Sequence, residues 1–170
     1  SMETWSVGPE DRALELANVQ LGTTDVMLIA GILKGNRLVH SLDLRGSFLD
    51  QVCKTAIGYA ILRNPHSSIR FVMCDTFTVK DVPEVDLSQV EVTTADVVLL
   101  AAALKRNSTV KSVRLPSSYI GDDEGGQAMI QAIDTNSTLE RINDVYLETS
   151  KEANFDDYAY TLLKSFEKRF

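Results

Sequence analysis

Four asparagines punctuate the chain at Asn36, Asn64, Asn107 and Asn136, spaced 28, 43 and 29 residues apart, and each precedes a similar run of aliphatic positions. The runs are Val39, Leu42, Leu44; Ile69, Val72, Cys74; Val110, Val113, Leu115; and Leu139, Ile142, with Leu14 and Leu16 as an earlier copy. Another aliphatic residue lies five positions beyond most runs, at Leu21, Leu49, Val79 and Ile120. A period near 28 residues held over several registers constrains the fold more than any local propensity. Each unit of such a chain can bury its apolar face only by stacking on its neighbours.

The 43-residue interval contains one more copy, Val82, Val85, Leu87 and Val92, with Leu87 placed 13 residues after Cys74 and Val92 placed 13 after Val79. The segment CDTFTVKDVPEVDL therefore reads as a repeat that has lost its helix, and Pro83 opposes helix formation there. From Val85 to Val113 the interval returns to 28. Strands are predicted near 13–17, 41–45, 70–75, 84–88, 112–116 and 141–145.

Between strands the apolar period changes from two to 3.6. Val26, Ile29, Ala30, Ile32 and Leu33 form one stripe, with Thr24 or Asp25 placed to cap its start, and DQVCKTAIGYAILRN, TADVVLLAAALKRN and DDEGGQAMIQAI read alike. Each helix ends at an Asn or Gly-Asn suited to a left-handed C-cap. Strand, loop, helix and loop in about 28 residues place successive strands parallel and side by side, with helices outside. The predicted fold class is α/β, a short curved solenoid forming one domain over 1–170. It comprises an N-terminal flank at 1–12, repeats over 13–147, and a C-terminal helix over 151–170. That last helix carries Phe155, Ala159, Leu162, Leu163 and Phe166 on one face, to cap the last repeat or to bind a partner.

Composition narrows the function classes. The chain is 44% apolar and 24% charged with a formal charge of −7, and no apolar run reaches the roughly 18 residues of a membrane span. The opening SMETWS lacks the charged and apolar regions of a signal peptide, Ser1 ahead of Met2 reads as a cleavage remnant, and a cytoplasmic location is expected. Two cysteines make no disulfide framework, and an acidic chain without an aromatic stacking platform argues against nucleic acid.

The LxxLxL runs, each preceded by a helix ending LxxN, resemble the leucine-rich repeats of the ribonuclease-inhibitor type, most clearly in LKRNSTVKSVRL and IDTNSTLERI. The likeness runs from about Leu14 to Ile142. It departs where that family carries Asn or Cys: Val19, Ser47, Phe77, Val90 and Ser118 stand there, so apolar packing is expected to replace part of the side-chain ladder. The resemblance implies a right-handed horseshoe with parallel strands on the concave side and helices on the convex side. The function it implies is that of a non-catalytic, monomeric protein-binding scaffold. Its binding face would be carried by Glu15, Asp43, Arg45, Met73, Asp75, Asp86, Ser88, Arg114 and Asn143, with Ala17 and Pro116 in the same row. Six acids between Asp75 and Asp96 against the single Lys80 would attract a basic protein partner if they cluster; otherwise they keep the surface solvated. Two alternatives share the repeat: a tropomodulin-like actin- or cytoskeleton-binding module, and a GTPase-activating regulator.

Catalytic chemistry finds few candidates. His40 and His66 are the two histidines, neither beside an evident nucleophile. Cys74 occupies a core register position, and Cys53 lies near the start of a helix with no evident basic or histidine partner for its thiol. GDDEGG at 121–126 lacks the alternating acids and distal Glu of a calcium loop, and the NST triplets at 107 and 136 fall on repeat turns. No catalytic residue, metal site or cofactor is predicted.

Overall fold

A computed structural model of the protein describes residues 8, 10–116, 123–143 and 145–147; the predicted helix over 151–170, most of the flank 1–12, and Ser118 and Ile120 lie outside them. In chain order the elements are β1 (Ala13–Glu15), α1 (Thr23–Leu33), β2 (Ser41–Asp43), α2 (Gln51–Leu62), β3 (Phe71–Met73), β4 (Thr78–Val79), β5 (Glu84–Asp86), α3 (Thr94–Leu104), β6 (Ser112–Arg114), α4 (Asp123–Thr135), β7 (Arg141–Ile142) and β8 (Val145–Tyr146).

The repeat spacing becomes strand register. β1, β2 and β3 run parallel with Leu14 opposite Leu42 and Leu42 opposite Val72, and β5, β6 and β7 run parallel with Val85, Val113 and Ile142 in line. These central residues are buried, and their neighbours on each strand point to the other face, as the two-residue strand period requires.

One uninterrupted parallel sheet was the expectation; there are two four-stranded sheets, ordered β1-β2-β3-β4 and β5-β6-β7-β8. Only ten residues, Cys74 to Pro83, join β3 to β5, fewer than a parallel crossover needs. The chain doubles back instead, so β4 pairs antiparallel with β3, Val72 opposite Val79, and occupies its edge. Pro83 cannot donate to a ladder, but its carbonyl accepts from Lys111 N at 2.8 Å and Ser112 N at 3.1 Å and starts the second sheet. β8 pairs antiparallel with β7 in the same way.

The helices stack in order, α1 on α2, α2 on α3 and α3 on α4. With no helix between β3 and β5, α3 lies directly on α2, and Gly58 marks the contact: a Cβ there would stand 2.8 Å from Val98 Cγ1 and 3.1 Å from Leu99 N. α3 is buried at every position from Ala95 to Leu104, Asp96 included. The Asp96 carboxylate accepts from Lys54 Nζ of α2 at 2.7 Å and from Thr76 Oγ1 at 2.8 Å, so a buried ion pair joins the two helices. On α1 the buried stripe is Val26, Ile29 and Leu33 alone. Ile32, predicted inside, is 38% exposed beside Met27 and Leu28, because α1 has a described helix on one side only. Its N-cap is Gly22, whose N–H donates to Asp25 Oδ2 at 2.9 Å, rather than Thr24 or Asp25.

The repeat asparagines do not adopt the left-handed C-cap predicted for them. Positive φ occurs at Asn18, Gly46, Phe48 and Asn143, and the residues closing α1, α2 and α3 are Lys34, Arg63 and Lys105, all right-handed. The asparagine side chains do two other things. Each Oδ1 accepts backbone N–H groups of its own turn, as Asn136 does from Thr138 and Leu139. The Nδ2 reaches to the preceding repeat: Asn64 to Leu33 O and Asn36 O, Asn136 to Leu104 O and Asn107 O. These are buried amides with their donors and acceptors used. At the shortened repeat the ladder changes hands. Asn107 donates to Arg70 O and Lys80 O, and the buried ammonium of Lys105 donates to the Leu62 and Asn64 carbonyls.

Candidate partner-binding site

The loop from β2 to α2 bears an exposed aromatic and is held by several side-chain hydrogen bonds. Asp43, at the end of β2, takes the Arg45 backbone N–H at 3.1 Å and its Nε at 2.9 Å, and these bonds with the guanidinium hold the carboxyl below the usual carboxylate range against the opposing effect of burial. Gly46 N donates to Asp75 Oδ1 at 2.6 Å. Gly46 has φ +69°, and a Cβ there would collide with the Asn18 side chain, so glycine is required. Ser47 Oγ donates to Leu16 O at 2.7 Å, supplying a rung of the side-chain ladder where apolar packing was predicted.

Between these anchors stands Phe48, 89% exposed and at φ +51°. An L-residue in that conformation costs roughly 1 to 2 kcal/mol. An aromatic ring held in water by a strained backbone gains nothing for folding. Phe48 was absent from the residues singled out in the sequence. The signal for it was an aromatic one position before the register residue Leu49, directly after Gly46 and Ser47.

The sequence-predicted face divides in two. Glu15, Arg45, Asp75, Asp86 and Arg114 are exposed and Ser88 is half-buried, whereas Asp43, Met73 and Asn143 are buried. As contact residues those three are corrected. Asp43 is consumed by Arg45, Met73 is covered in the middle of its sheet, and Asn143 turns inward at φ +51° so that its Oδ1 accepts from Leu115 N at 2.8 Å. Asp86 takes the Ser88 N–H at 2.9 Å, which lowers its pKa. On the second sheet Arg114 lies 3.2 Å from Glu84, Arg141 lies 4.0 Å from it, and Tyr146 is 62% exposed with the Arg141 guanidinium over its ring. The six-acid strip is broken up: Asp96 is buried on Lys54 and Glu84 faces two arginines, leaving Asp75, Asp81, Asp86 and Glu91 exposed.

Comparison of the sequence with family models and with curated proteins finds no match. Among solved structures the chain is similar to "Leiomodin-1 Actin-Binding Site 2 (ABS2)", with TM-score 0.44 and 15% identity over 95% of this chain and 83% of that one. It is also similar to the tropomodulin C-terminal domain of Caenorhabditis elegans, with TM-score 0.41 and 10% identity over 95% of this chain and 87% of that one.

The thiols are poor nucleophiles. Burial, with Asp50 adding to it, pushes Cys53 up to about 11, and burial raises Cys74. Among the described residues no group of three or more His, Cys, Asp or Glu is placed to hold a metal ion, and no helix is long and apolar enough to cross a membrane. The side chains of Asn107 and Asn136, the glycosylation-like triplets, are buried in the ladder.

Proposed function

We propose that this chain is a leucine-rich-repeat-type, non-catalytic module that binds a protein partner across the strand face and the loop that leaves β2. It acts as a cytoplasmic monomer of a single solenoid domain. The observation that carries the reading is Phe48, a fully presented aromatic on a loop pinned by Asp75, Leu16 and the Arg45–Asp43 pair. Such preorganisation lowers the ordering cost that binding must meet. Arg45 and Asp75 on and beside its loop supply charge for orientation, Asp86 and Arg114 extend the exposed charge onto the second sheet, and the exposed acids favour a partner with a basic surface.

Affinity capture from a lysate, wild type beside Phe48→Ala, tests this. A partner retained by wild type and lost by the variant, with melting temperature unchanged or raised, supports the reading; equal retention by both overturns the role of Phe48. Actin is the first purified protein to assay, by co-sedimentation, because the actin-binding alternative arises from the same repeat. Co-sedimentation that Phe48→Ala abolishes would make actin the partner.

A further inference from the structure

A different surface, at the turns that lead into β2 and β3, carries a cleft of about 520 Å³ whose charged and titratable lining is Arg37, His40, His66, Arg70 and Arg106, with Ser67, Ser68 and Pro65 completing it. No carboxylate lines it, in a chain whose net charge is −7. None of the three arginines forms an ion pair among the described residues, whereas Arg45, Lys54, Lys111, Arg114 and Arg141 all do.

The shortened repeat builds this concentration of charge. Because α3 packs directly on α2, the turn that ends α3 comes against the turn that ends α2, and Arg106 Nη2 donates to Pro65 O at 3.0 Å. Ser68 Oγ donates to Arg37 O at 2.7 Å and ties in the turn of the first repeat. Arg70 lies over the Phe71 ring at 5.2 Å, which limits where its guanidinium can go. Behind the wall, the Lys105 ammonium sits 2.9 Å from the Asn64 carbonyl and adds a buried positive charge to the same turn. Three repeats thus converge three guanidinium forks and two imidazoles on one concavity. Guanidinium forks match the paired oxygens of phosphate, and the space exceeds what one phosphate fills.

We infer that this cleft binds a small anion bearing two or more phosphate groups, supplied either as a soluble polyphosphorylated molecule or as a phosphorylated lipid headgroup. The binding would be independent of the Phe48 surface.

Calorimetric titration of the whole chain with inositol hexakisphosphate, and with inorganic phosphate as the single-phosphate probe, tests this beside two charge-matched variants. Arg37→Gln with Arg70→Gln removes two exposed cleft cations, and Lys34→Gln with Lys111→Gln removes two exposed cations from outside the cleft. The expected result is binding of the hexakisphosphate by wild type and by the second variant, with inorganic phosphate much weaker and the cleft variant weaker by about tenfold or more. Sedimentation with phosphatidylcholine vesicles, with and without phosphatidylinositol bisphosphate, separates the sources: cleft-dependent vesicle binding assigns the headgroup, and its absence alongside soluble binding assigns the free anion. No binding by wild type, or equal loss in both variants, overturns the proposal. Thermal unfolding of both variants establishes that a loss of binding is not a loss of fold.

Discussion

The Nζ of Lys105, near the end of α3, donates to the Asn64 carbonyl at 2.9 Å and to the Leu62 carbonyl at 2.5 Å, both at the end of α2. In the intact repeats an asparagine amide meets the carbonyl of the preceding repeat asparagine and that of the residue three before it, as Asn136 does at Asn107 and Leu104; Lys105 takes the Asn64 carbonyl and, one residue off that register, Leu62. The third repeat has no helix, so Asn107 turns to Arg70 and Lys80, and the longer lysine chain brings a charged donor to the Leu62 and Asn64 carbonyls, the latter also accepting from Ser67 N at 3.3 Å. Burial, aided by the charge of Arg106, lowers the Lys105 pKa from its ordinary value.

Lys105→Met keeps the apolar stem and removes both donors. It is expected to cost about 3 kcal/mol. Chemical denaturation measures it, and a midpoint equal to wild type would show that Lys105 bridges nothing.

Gly58→Ala places a methyl group against Val98 and the Leu99 backbone and should destabilise by about 1 to 3 kcal/mol in spite of better helix propensity. At Gly31 on α1 nothing lies within 4 Å, so the same change should stabilise by about 0.5 to 1 kcal/mol. Thermal melts of the pair should move in opposite directions. A rise in both would show that α2 and α3 are not in close contact at Gly58.

Burial alone would raise the pKa of Asp96, but hydrogen bonds from Lys54, Thr93 and Thr76 outweigh it and hold the folded value below the ordinary 3.8. A depressed carboxyl pKa contributes stability that is complete above the unfolded value and lost as pH falls through the folded one. Stability should therefore drop on acidification below about pH 3.8, and less steeply in Asp96→Asn. At neutral pH that variant should cost about 3 kcal/mol, since Lys54 loses its partner. Denaturation midpoints across the acid range check both points, and parallel curves for the two proteins would exclude Asp96 as the titrating group.

With Cys53 at about 11 and Cys74 raised by burial, neither thiol should ionise appreciably in the folded protein at mildly alkaline pH. Alkylation by iodoacetamide should be slow for both in native buffer and rapid in denaturant. Rapid native labelling of Cys53 would contradict the environment described for it.

The strand register was legible because aliphatic spacing reports burial directly: Leu14, Leu42 and Val72 stand in line, as do Val85, Val113 and Ile142. Polar residues were misread wherever their role depends on a distant partner. Asn36, Asn64, Asn107 and Asn136 look like helix caps locally, yet Asn136 Nδ2 bonds a carbonyl 32 residues away. Asp43 reads as an outward strand residue until Arg45 folds over it. The β4 hairpin was missed because a two-residue strand leaves no periodicity to detect. Phe48 was missed for the opposite reason: an apolar residue is assumed to be inside, and backbone conformation is invisible to a hydropathy pattern.

Phe48 is the residue proposed to anchor a protein partner. The most direct measurement places the photoreactive residue p-benzoylphenylalanine at Phe48, with the same substitution at exposed Glu91 as the control, in cells under ultraviolet light. A discrete adduct from Phe48, absent from Glu91 and outcompeted by excess wild-type protein, is the predicted result. No adduct at Phe48, or the same adduct from both positions, would show that Phe48 anchors no partner.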